Sequence, residues 1–184
     1  MRPFVASLVA SCFSFAVPAQ QQFFFNNLTE KDGLSNNRVT CIYKDKTGYM
    51  WIGTESGLNK YNGSSWKIYK PSPQKENYIS NSFITSVQQD AKGDMWVCTR
   101  KGLNRIDEAS NNTEVFLPGE ENSNSIASDF IWDVFPDNDS SIWVAPDAKG
   151  LCRYNPASKS LFYYSFKEHL KQNNIETSLR YHSI

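Results

Sequence analysis

The sequence predicts an all-β protein built from repeated small sheets, and three observations support this prediction. Aromatic residues make up 14% of the 184 residues, and Asn and Ser are frequent while Ala is scarce. Such a composition favours strands and turns over helices. Short apolar runs alternate with turn-forming residues along most of the chain. One set of short motifs also recurs three times, and an internal repeat of this kind sets the architecture.

The charge composition excludes several classes of partner. Lys and Arg together number 19, Asp and Glu also number 19, and the formal net charge is zero. Domains that bind nucleic acid normally carry a basic excess, and proteins that bind a lipid surface carry a basic face. We therefore expect this segment to contact no nucleic acid, and charge alone identifies no partner.

The first 19 residues have the pattern of a secretory signal peptide. Arg2 precedes a 14-residue apolar stretch over 4–17, and small residues stand before the bond that follows Ala19. A stretch of this length is too short to span a bilayer as a helix. We expect export and a mature chain that begins at Gln20. The alternative is a lipoprotein cleavage box ending at Cys12, and the apolar stretch that continues past this cysteine argues against it.

The sequence offers few residues for disulfide, metal or cofactor chemistry. Removal of the leader leaves Cys41, Cys98 and Cys152, an odd number with no C-x-x-C spacing. We expect these thiols to act mainly as small buried groups, and whether one pair forms a disulfide stays open. Both histidines, His169 and His182, follow the third repeat, so neither a metal site nor a catalytic triad is expected on the repeats. No cofactor is expected either.

The repeats are defined by an aspartate and a tryptophan six residues apart, followed by a Gly-Leu pair. The tryptophans are spaced by 45 and 47 residues. The equivalent positions are Asp45, Gly48, Trp51 and Gly57 in the first copy, Asp90, Gly93, Trp96 and Gly102 in the second, and Asp137, Trp143 and Gly150 in the third.

Each repeat contains four short strand candidates, which in the first copy cover 39–43, 49–54, 58–61 and 65–69. The pair Asn62 and Gly63 predicts a two-residue hairpin turn, because both residues tolerate a positive φ. A four-stranded antiparallel unit of about 46 residues has the size of one β-propeller blade. We expect three blades and an incomplete ring, with blade boundaries near 26–70, 71–117 and 118–166. Residues 167–184 would form a linker or the start of a further, truncated blade.

The residues common to the repeats are expected to serve the fold rather than a ligand. An aspartate that enters a turn accepts hydrogen bonds from backbone N–H groups two residues on. The glycines supply a positive φ, and each tryptophan fills the space between blades. In the third copy, Ala145 and Pro146 replace Gly53 and Thr54, and one residue is inserted before Gly150. We expect an altered loop in that blade.

Three blocks of the first copy resemble the two-component-regulator propeller repeat. They are Gly33-Leu34-Ser35-Asn36, Asp45-x-x-Gly48-x-x-Trp51-Ile52-Gly53-Thr54 and Gly57-Leu58-Asn59-x-Tyr61, and the resemblance extends over about 26–166. It implies a seven-bladed propeller that forms the periplasmic sensor of a hybrid two-component system anchored in the inner membrane. A membrane helix and a histidine kinase would follow on the parent chain. Many members of this family detect oligosaccharides and induce polysaccharide-utilisation genes.

Ligand-binding residues in a propeller more often break the repeat than keep it. Arg100 stands where the first copy has Glu55, Trp132 where the other copies have Thr, and Asp133 where they have Cys and Ser. An aromatic face beside a carboxylate or a guanidinium suits sugar rings and the carboxylates of acidic glycans. We therefore expect Arg100, Trp132 and Asp133 to contact an oligosaccharide or another small ligand.

These observations lead to three hypotheses for function. The first is a sensor that passes a change in blade or homodimer geometry across the membrane to the kinase. The second is a secreted propeller enzyme, a glycan lyase or glycosidase, to which Glu55, Asp133 and Asp147 could contribute; no acid–base pair at a defined spacing is visible. The third is an interaction scaffold. We favour the first and expect this chain not to be an enzyme, with the remaining blades and downstream domains of the parent as its partners.

Overall fold

The structure is a computed structural model. It describes residues 25–72, 78–119, 126, 128–138, 140–147 and 150–164. The predicted signal peptide and the segment 167–184, with both histidines, lie outside the described residues. Within the described ranges, no helix is long and apolar enough to cross a membrane.

Twelve strands in the described part of the chain form three four-stranded antiparallel sheets, which confirms the predicted fold class. In each sheet the strands follow chain order, so each sheet is one meander and one blade. The first blade contains β1 Val39–Lys44, β2 Met50–Thr54, β3 Gly57–Tyr61 and β4 Trp66–Tyr69. The second contains β5 Ile84–Gln89, β6 Met95–Thr99, β7 Gly102–Asp107 and β8 Asn112–Phe116. The third contains β9 Ile131–Pro136, β10 Ile142–Pro146, β11 Leu151–Asn155 and β12 Ser160–Tyr164.

The hairpin between β3 and β4 differs from the sequence prediction. Tyr61 pairs with Trp66, which leaves a loop of four residues, and Gly63 has a positive φ of 99° while Asn62 does not. The Asn62 side-chain oxygen accepts hydrogen bonds from the backbone N–H groups of Ser64 and Ser65 at 2.9 and 2.7 Å. The two-residue turn was therefore the wrong prediction, because the asparagine side chain satisfies two donors of a wider turn.

The first strands of the three blades are neighbours, with β5 in contact with both β1 and β9. Each of these strands carries one unpaired residue near its start, where its register with the second strand shifts. The unpaired residues are Thr40, Thr85 and Trp132. Such a bulge bends the strand and redirects side chains at its end. The bulges therefore shape the same end of all three blades.

The blades stack through the tryptophans of the first two repeats. Trp51 and Trp96 are fully buried, each in a cluster that includes residues of its own blade and of the next. Trp51 stacks on Tyr69 with ring centroids 5.5 Å apart, and Trp96 stacks on Phe116 at 5.7 Å. Stacking covers both faces of the second blade, in which every residue of β6 is buried and four of its five residues are apolar.

The two ends of this stack are different from its interior. Ile42 in β1 is 61% exposed, whereas the equivalent Val87 and Val134 are 3% and 2% exposed between blades. At the other end, Phe135 and Phe162 on β9 and β12 are also exposed. Both end faces thus carry apolar side chains that no described residue covers.

Candidate functional site

The aspartate of each repeat is committed to its turn. Asp90 accepts hydrogen bonds from the backbone N–H groups of Lys92, Gly93 and Asp94 at 2.9 to 3.0 Å through one carboxylate oxygen. Its other oxygen accepts the indole N–H of Trp96 at 2.9 Å. The same indole bond is 2.7 Å long in the first blade, from Trp51 to Asp45, and 3.0 Å in the third, from Trp143 to Asp137. The constant spacing of six residues is the sequence signal for this bond, which sequence reasoning missed.

The equivalent carboxylate of the first blade is held in its charged form. Burial opposes ionisation of Asp45, but hydrogen bonds from Thr47, Trp51 and Tyr49 outweigh it and place the pKa of this carboxyl below its usual range. A carboxylate used in this way is unavailable as a catalytic acid or base. The repeated aspartates therefore contribute to the fold.

Glycines of the repeat occupy positions that a side chain would disturb. Gly102 has φ of 118°, and a Cβ there would lie 2.7 Å from the carbonyl oxygen of Phe116. Gly48 and Gly93 lie in the turns that begin at Asp45 and Asp90, with φ of 94° and 101°. At the equivalent position the third blade has Ser140, with φ of 67°. A non-glycine residue in this region is strained. Gly57 and Gly150 also have a positive φ.

A second network holds the chain that enters each of the first two blades. Asn59 accepts the backbone N–H of Ser35 at 2.8 Å and donates to the carbonyl of Ile52 at 2.9 Å. Asn104 makes the equivalent bonds to Ser80 and Val97 at 2.8 and 3.1 Å. In the third blade Cys152 replaces this asparagine. The third blade therefore lacks the asparagine side chain that makes these bonds in the first two.

The residues that vary between repeats meet at the bulged end of the sheets. In each blade, the residue directly after the second strand donates its backbone N–H to a carbonyl oxygen. That oxygen belongs to the residue directly before the first strand. These bonds run from Glu55 to Arg38 at 3.3 Å, from Arg100 to Phe83 at 3.2 Å and from Asp147 to Phe130 at 2.8 Å. We call these six residues together with Trp132 the mouth of the blades.

The three blades present different chemistry at the mouth. In the first blade, Arg38 and Glu55 form an ion pair at 3.3 Å. In the second, the guanidinium carbon of Arg100 lies 3.6 Å from the ring centroid of Phe83. In the third, the indole N–H of Trp132 donates to Asp147 at 2.9 Å.

An aromatic strip joins the second and third blades at the mouth. The guanidinium of Arg100 lies 5.6 Å from the ring centroid of Phe130, and that ring lies 4.4 Å from the ring of Trp132. The strip therefore runs from Phe83 through Arg100 and Phe130 to Trp132. Trp132 is 54% exposed, so its face is accessible in the described structure.

The predicted site residues do not all lie together. Arg100 and Trp132 are linked through Phe130 at the mouth, but Asp133 accepts a hydrogen bond from the hydroxyl of Ser86 in the neighbouring blade at 2.5 Å. Asp133 thus joins two blades, and its contact with a ligand stays a prediction. Sequence reasoning missed Phe83 and Phe130. The available signal was that the aligned positions 38, 83 and 130 carry Arg, Phe and Phe.

The thiols show no sign of reactive chemistry. Cys41, Cys98 and Cys152 are thiols, and no disulfide forms among the described residues. Burial raises the pKa of Cys98 well above its usual value, and Asp133 adds to the effect. Within the described ranges, no cluster of three or more His, Cys, Asp or Glu side chains could hold a metal ion.

A cleft of about 550 Å³ opens at the outer rim between β4 and the β7–β8 hairpin. Glu108 at its edge pairs with Lys60 and accepts the hydroxyl of Tyr69 at 3.0 Å. These contacts tie the second blade to the first. The cleft therefore lies at the interface between the first two blades. We consider the mouth the better candidate for a ligand site.

Three stacked four-stranded meanders, each closed by an Asp–Trp hydrogen bond, define a β-propeller repeat protein. Residues 33–56 and 78–101 match the family model described as "Two component regulator propeller". The chain therefore contains repeats of the two-component-regulator propeller family, as the sequence motifs predicted.

The chain is also similar to proteins of known name or structure. Histidine kinase P4 of Formosa agariphila is 38% identical over 73 residues, which are 39% of this chain and 5% of that protein. This chain thus spans a small part of the relative's length. The extracellular domain of a hybrid two component system from B. thetaiotaomicron superposes with a TM-score of 0.70 at 24% identity, over 77% of this chain and 20% of that one. Streptogramin B lyase superposes with a TM-score of 0.55 at 14% identity, over 73% of this chain and 42% of that one. These two structures support the propeller fold.

Proposed function

We propose that this chain is part of the ligand-binding sensor region of a hybrid two-component system, and that its ligand is an oligosaccharide bound at the mouth. The repeat family and the histidine kinase relative support a sensor role. The parent protein would carry the remaining blades and a kinase, with this region exported to the periplasm and the parent anchored in the inner membrane. Ligand binding would regulate transcription of polysaccharide-utilisation genes.

The observation that carries the ligand assignment is the strip formed by Phe83, Arg100, Phe130 and Trp132. Sugar rings present apolar C–H faces that pack against aromatic rings, while their hydroxyls need polar partners at the edge. Asp147 and Arg100 supply such partners beside the rings. The strip therefore has the composition of a carbohydrate-binding surface.

The described acids at this end do not support an enzyme. Glu55 is paired with Arg38, Asp147 accepts the indole of Trp132, and Asp133 accepts Ser86. A glycosidase needs two carboxyl groups that face one substrate bond, and the described contacts assign each of these acids to another task. Streptogramin B lyase shares the fold, and a fold by itself hosts many functions. We therefore propose a non-catalytic role.

The test is binding of a panel of plant and algal oligosaccharides to the purified exported chain, measured by titration calorimetry. For a bound oligosaccharide, we expect Trp132→Ala to weaken binding roughly tenfold, which corresponds to about 1.4 kcal/mol. Phe162→Ala is the matched control, because Phe162 is equally exposed but lies on β12 at the end face. Equal affinity of Trp132→Ala and the unmodified chain would contradict the proposed site. Release of new reducing ends would favour the enzyme, and retention of a protein partner without any sugar would favour the scaffold.

A further inference from the structure

The three blades differ in the partners that their charged side chains have at the mouth. Glu55 and Arg38 neutralise each other in the first blade. Asp147 in the third blade accepts the indole N–H of Trp132. Arg100 in the second blade has no such partner: its guanidinium makes no hydrogen bond or ion pair with any residue that the structure describes. Among the described residues, Arg100 is thus a cation of the mouth without an anionic partner.

Two aromatic rings hold the guanidinium of Arg100 in place. Its carbon lies 3.6 Å from the ring centroid of Phe83, a cation–π contact, and 5.6 Å from that of Phe130. A contact with a ring face uses none of the N–H donors of a guanidinium. Those donors match the two oxygens of a carboxylate. The contacts therefore position Arg100 for a planar anion.

The ring of Phe130 lies beside both the guanidinium of Arg100 and the indole of Trp132. Phe130 contacts both Arg100 and Trp132, so the cation and the exposed indole are neighbours along one strip. A ligand that reaches both must combine a carboxylate with a ring that has an apolar face. A sugar acid has both features on one residue.

We propose that the mouth selects a glycan that contains a uronic acid, with the carboxylate on the guanidinium of Arg100 and the sugar ring against Trp132. This inference rests on the proposed function, because it names the class of oligosaccharide that the same site would take. A free small carboxylate has the same charged group without the ring. The experiment separates these two sources.

The experiment follows the indole N–H resonance of Trp132 by nuclear magnetic resonance in the full chain. The probes are glucuronate and galacturonate, the neutral sugars glucose and galactose, and acetate. We expect at least one of the sugar acids to shift the resonance at concentrations at which the neutral sugars and acetate do not. The shift should weaken as salt is added, since the contact involves charges at an exposed site.

Variants of two arginines in the second blade separate charge from shape. Arg100→Gln should abolish the preference for the sugar acid over its neutral counterpart, and Arg100→Lys should restore only part of it because an ammonium lacks the planar fork. Arg105→Gln is the matched control, since Arg105 lies outside the mouth and is paired with Asp94 and Glu114, and it should leave the preference unchanged. A preference that survives in Arg100→Gln overturns the proposal, as does an absence of any shift with both sugar acids. Equal shifts by acetate and the sugar acids would show a site for free carboxylates and also overturn it.

The failure of this inference can be told apart from failure of the proposed function. Binding of a neutral oligosaccharide that depends on Trp132 but not on Arg100 leaves the sensor proposal in place and removes the uronic acid. Binding that depends on neither residue removes both.

Discussion

Asp45 lies at the turn between β1 and β2, and its two carboxylate oxygens serve different parts of the blade. One oxygen accepts N–H groups of the turn, and the other accepts the indole N–H of the buried Trp51. A single charged side chain therefore connects the shape of a surface turn with the position of a core residue. The bonds made by Asp90 in the second blade repeat this arrangement.

The lowered pKa of Asp45 predicts how stability depends on pH. The pKa of an aspartate in an unfolded chain is about 3.9. In the folded blade, the pKa of Asp45 lies below that value. Ionised Asp45 therefore contributes stability above the unfolded pKa, and this contribution is lost as the pH falls through the folded pKa. We expect the difference in unfolding free energy between the unmodified chain and Asp45→Asn to shrink from pH 6 to pH 3. Urea unfolding at each pH measures it, and a difference that stays constant over this range would contradict the assignment.

At the scale of the elements, the turn between β9 and β10 is the weakest match to the repeat. Ser140 has a φ of 67° where the first two blades have glycine. A left-handed residue with a side chain is strained by about 1 to 2 kcal/mol, partly offset by the greater freedom of glycine in the unfolded chain. We expect Ser140→Gly to raise the free energy of unfolding by about 0.5 kcal/mol.

The control for this change is Ser158→Gly, in the turn between β11 and β12. Ser158 does not have a positive φ, so glycine there should lower stability slightly. Urea unfolding of both variants measures the effect. Equal changes in the two variants would show that strain at position 140 is not relieved.

The elements also show what the sequence could and could not predict. The strands followed from aligning three copies, because apolar runs and turn residues coincide in each. The turn after Tyr61 was predicted wrongly, since the outcome depends on two hydrogen bonds of the Asn62 side chain. The bulges at Thr85 and Trp132 escaped prediction, because register is a property of two paired strands and one strand alone does not show it.

The candidate site was predictable only in part, for a related reason. Arg100 and Trp132 stood out because they break the repeat, and the structure places both at the mouth. Asp133 breaks the repeat equally, but its partner Ser86 belongs to another blade, and contacts between blades cannot be read from one repeat. Phe83 and Phe130 lie ahead of their strands, outside the motifs that defined the alignment.

At the scale of the whole molecule, the two end faces of the stack should promote association. Ile42 and Ile68 are exposed on the first blade, and Phe135, Phe162 and Tyr164 on the third. Equivalent residues in the interior pack against a neighbouring blade. Exposed apolar faces of this kind mark interaction surfaces. We expect the isolated chain to associate as its concentration rises, through the contact of one end face with the other.

Sedimentation velocity measures this association. The variants Ile42→Lys and Phe135→Lys should each shift the chain toward the monomer, and Lys46→Gln, a change away from both faces, should not. A single monomeric species at all concentrations would show that other parts of the chain cover these faces. Circular dichroism of the variants verifies that the sheets are retained.

The backbone bonds that place the mouth residues have a consequence for how such a protein can evolve. The N–H of Glu55, Arg100 or Asp147 donates to a carbonyl oxygen, and no side chain takes part in that bond. The three loops already carry an acid, a base and an acid, on the same scaffold. Under the proposed function, substitutions at these positions would change what is recognised while these backbone bonds are retained, one blade at a time. A duplicated blade would bring a new pair of variable positions with it, so specificity would diversify combinatorially while each blade keeps its Asp–Trp hydrogen bond.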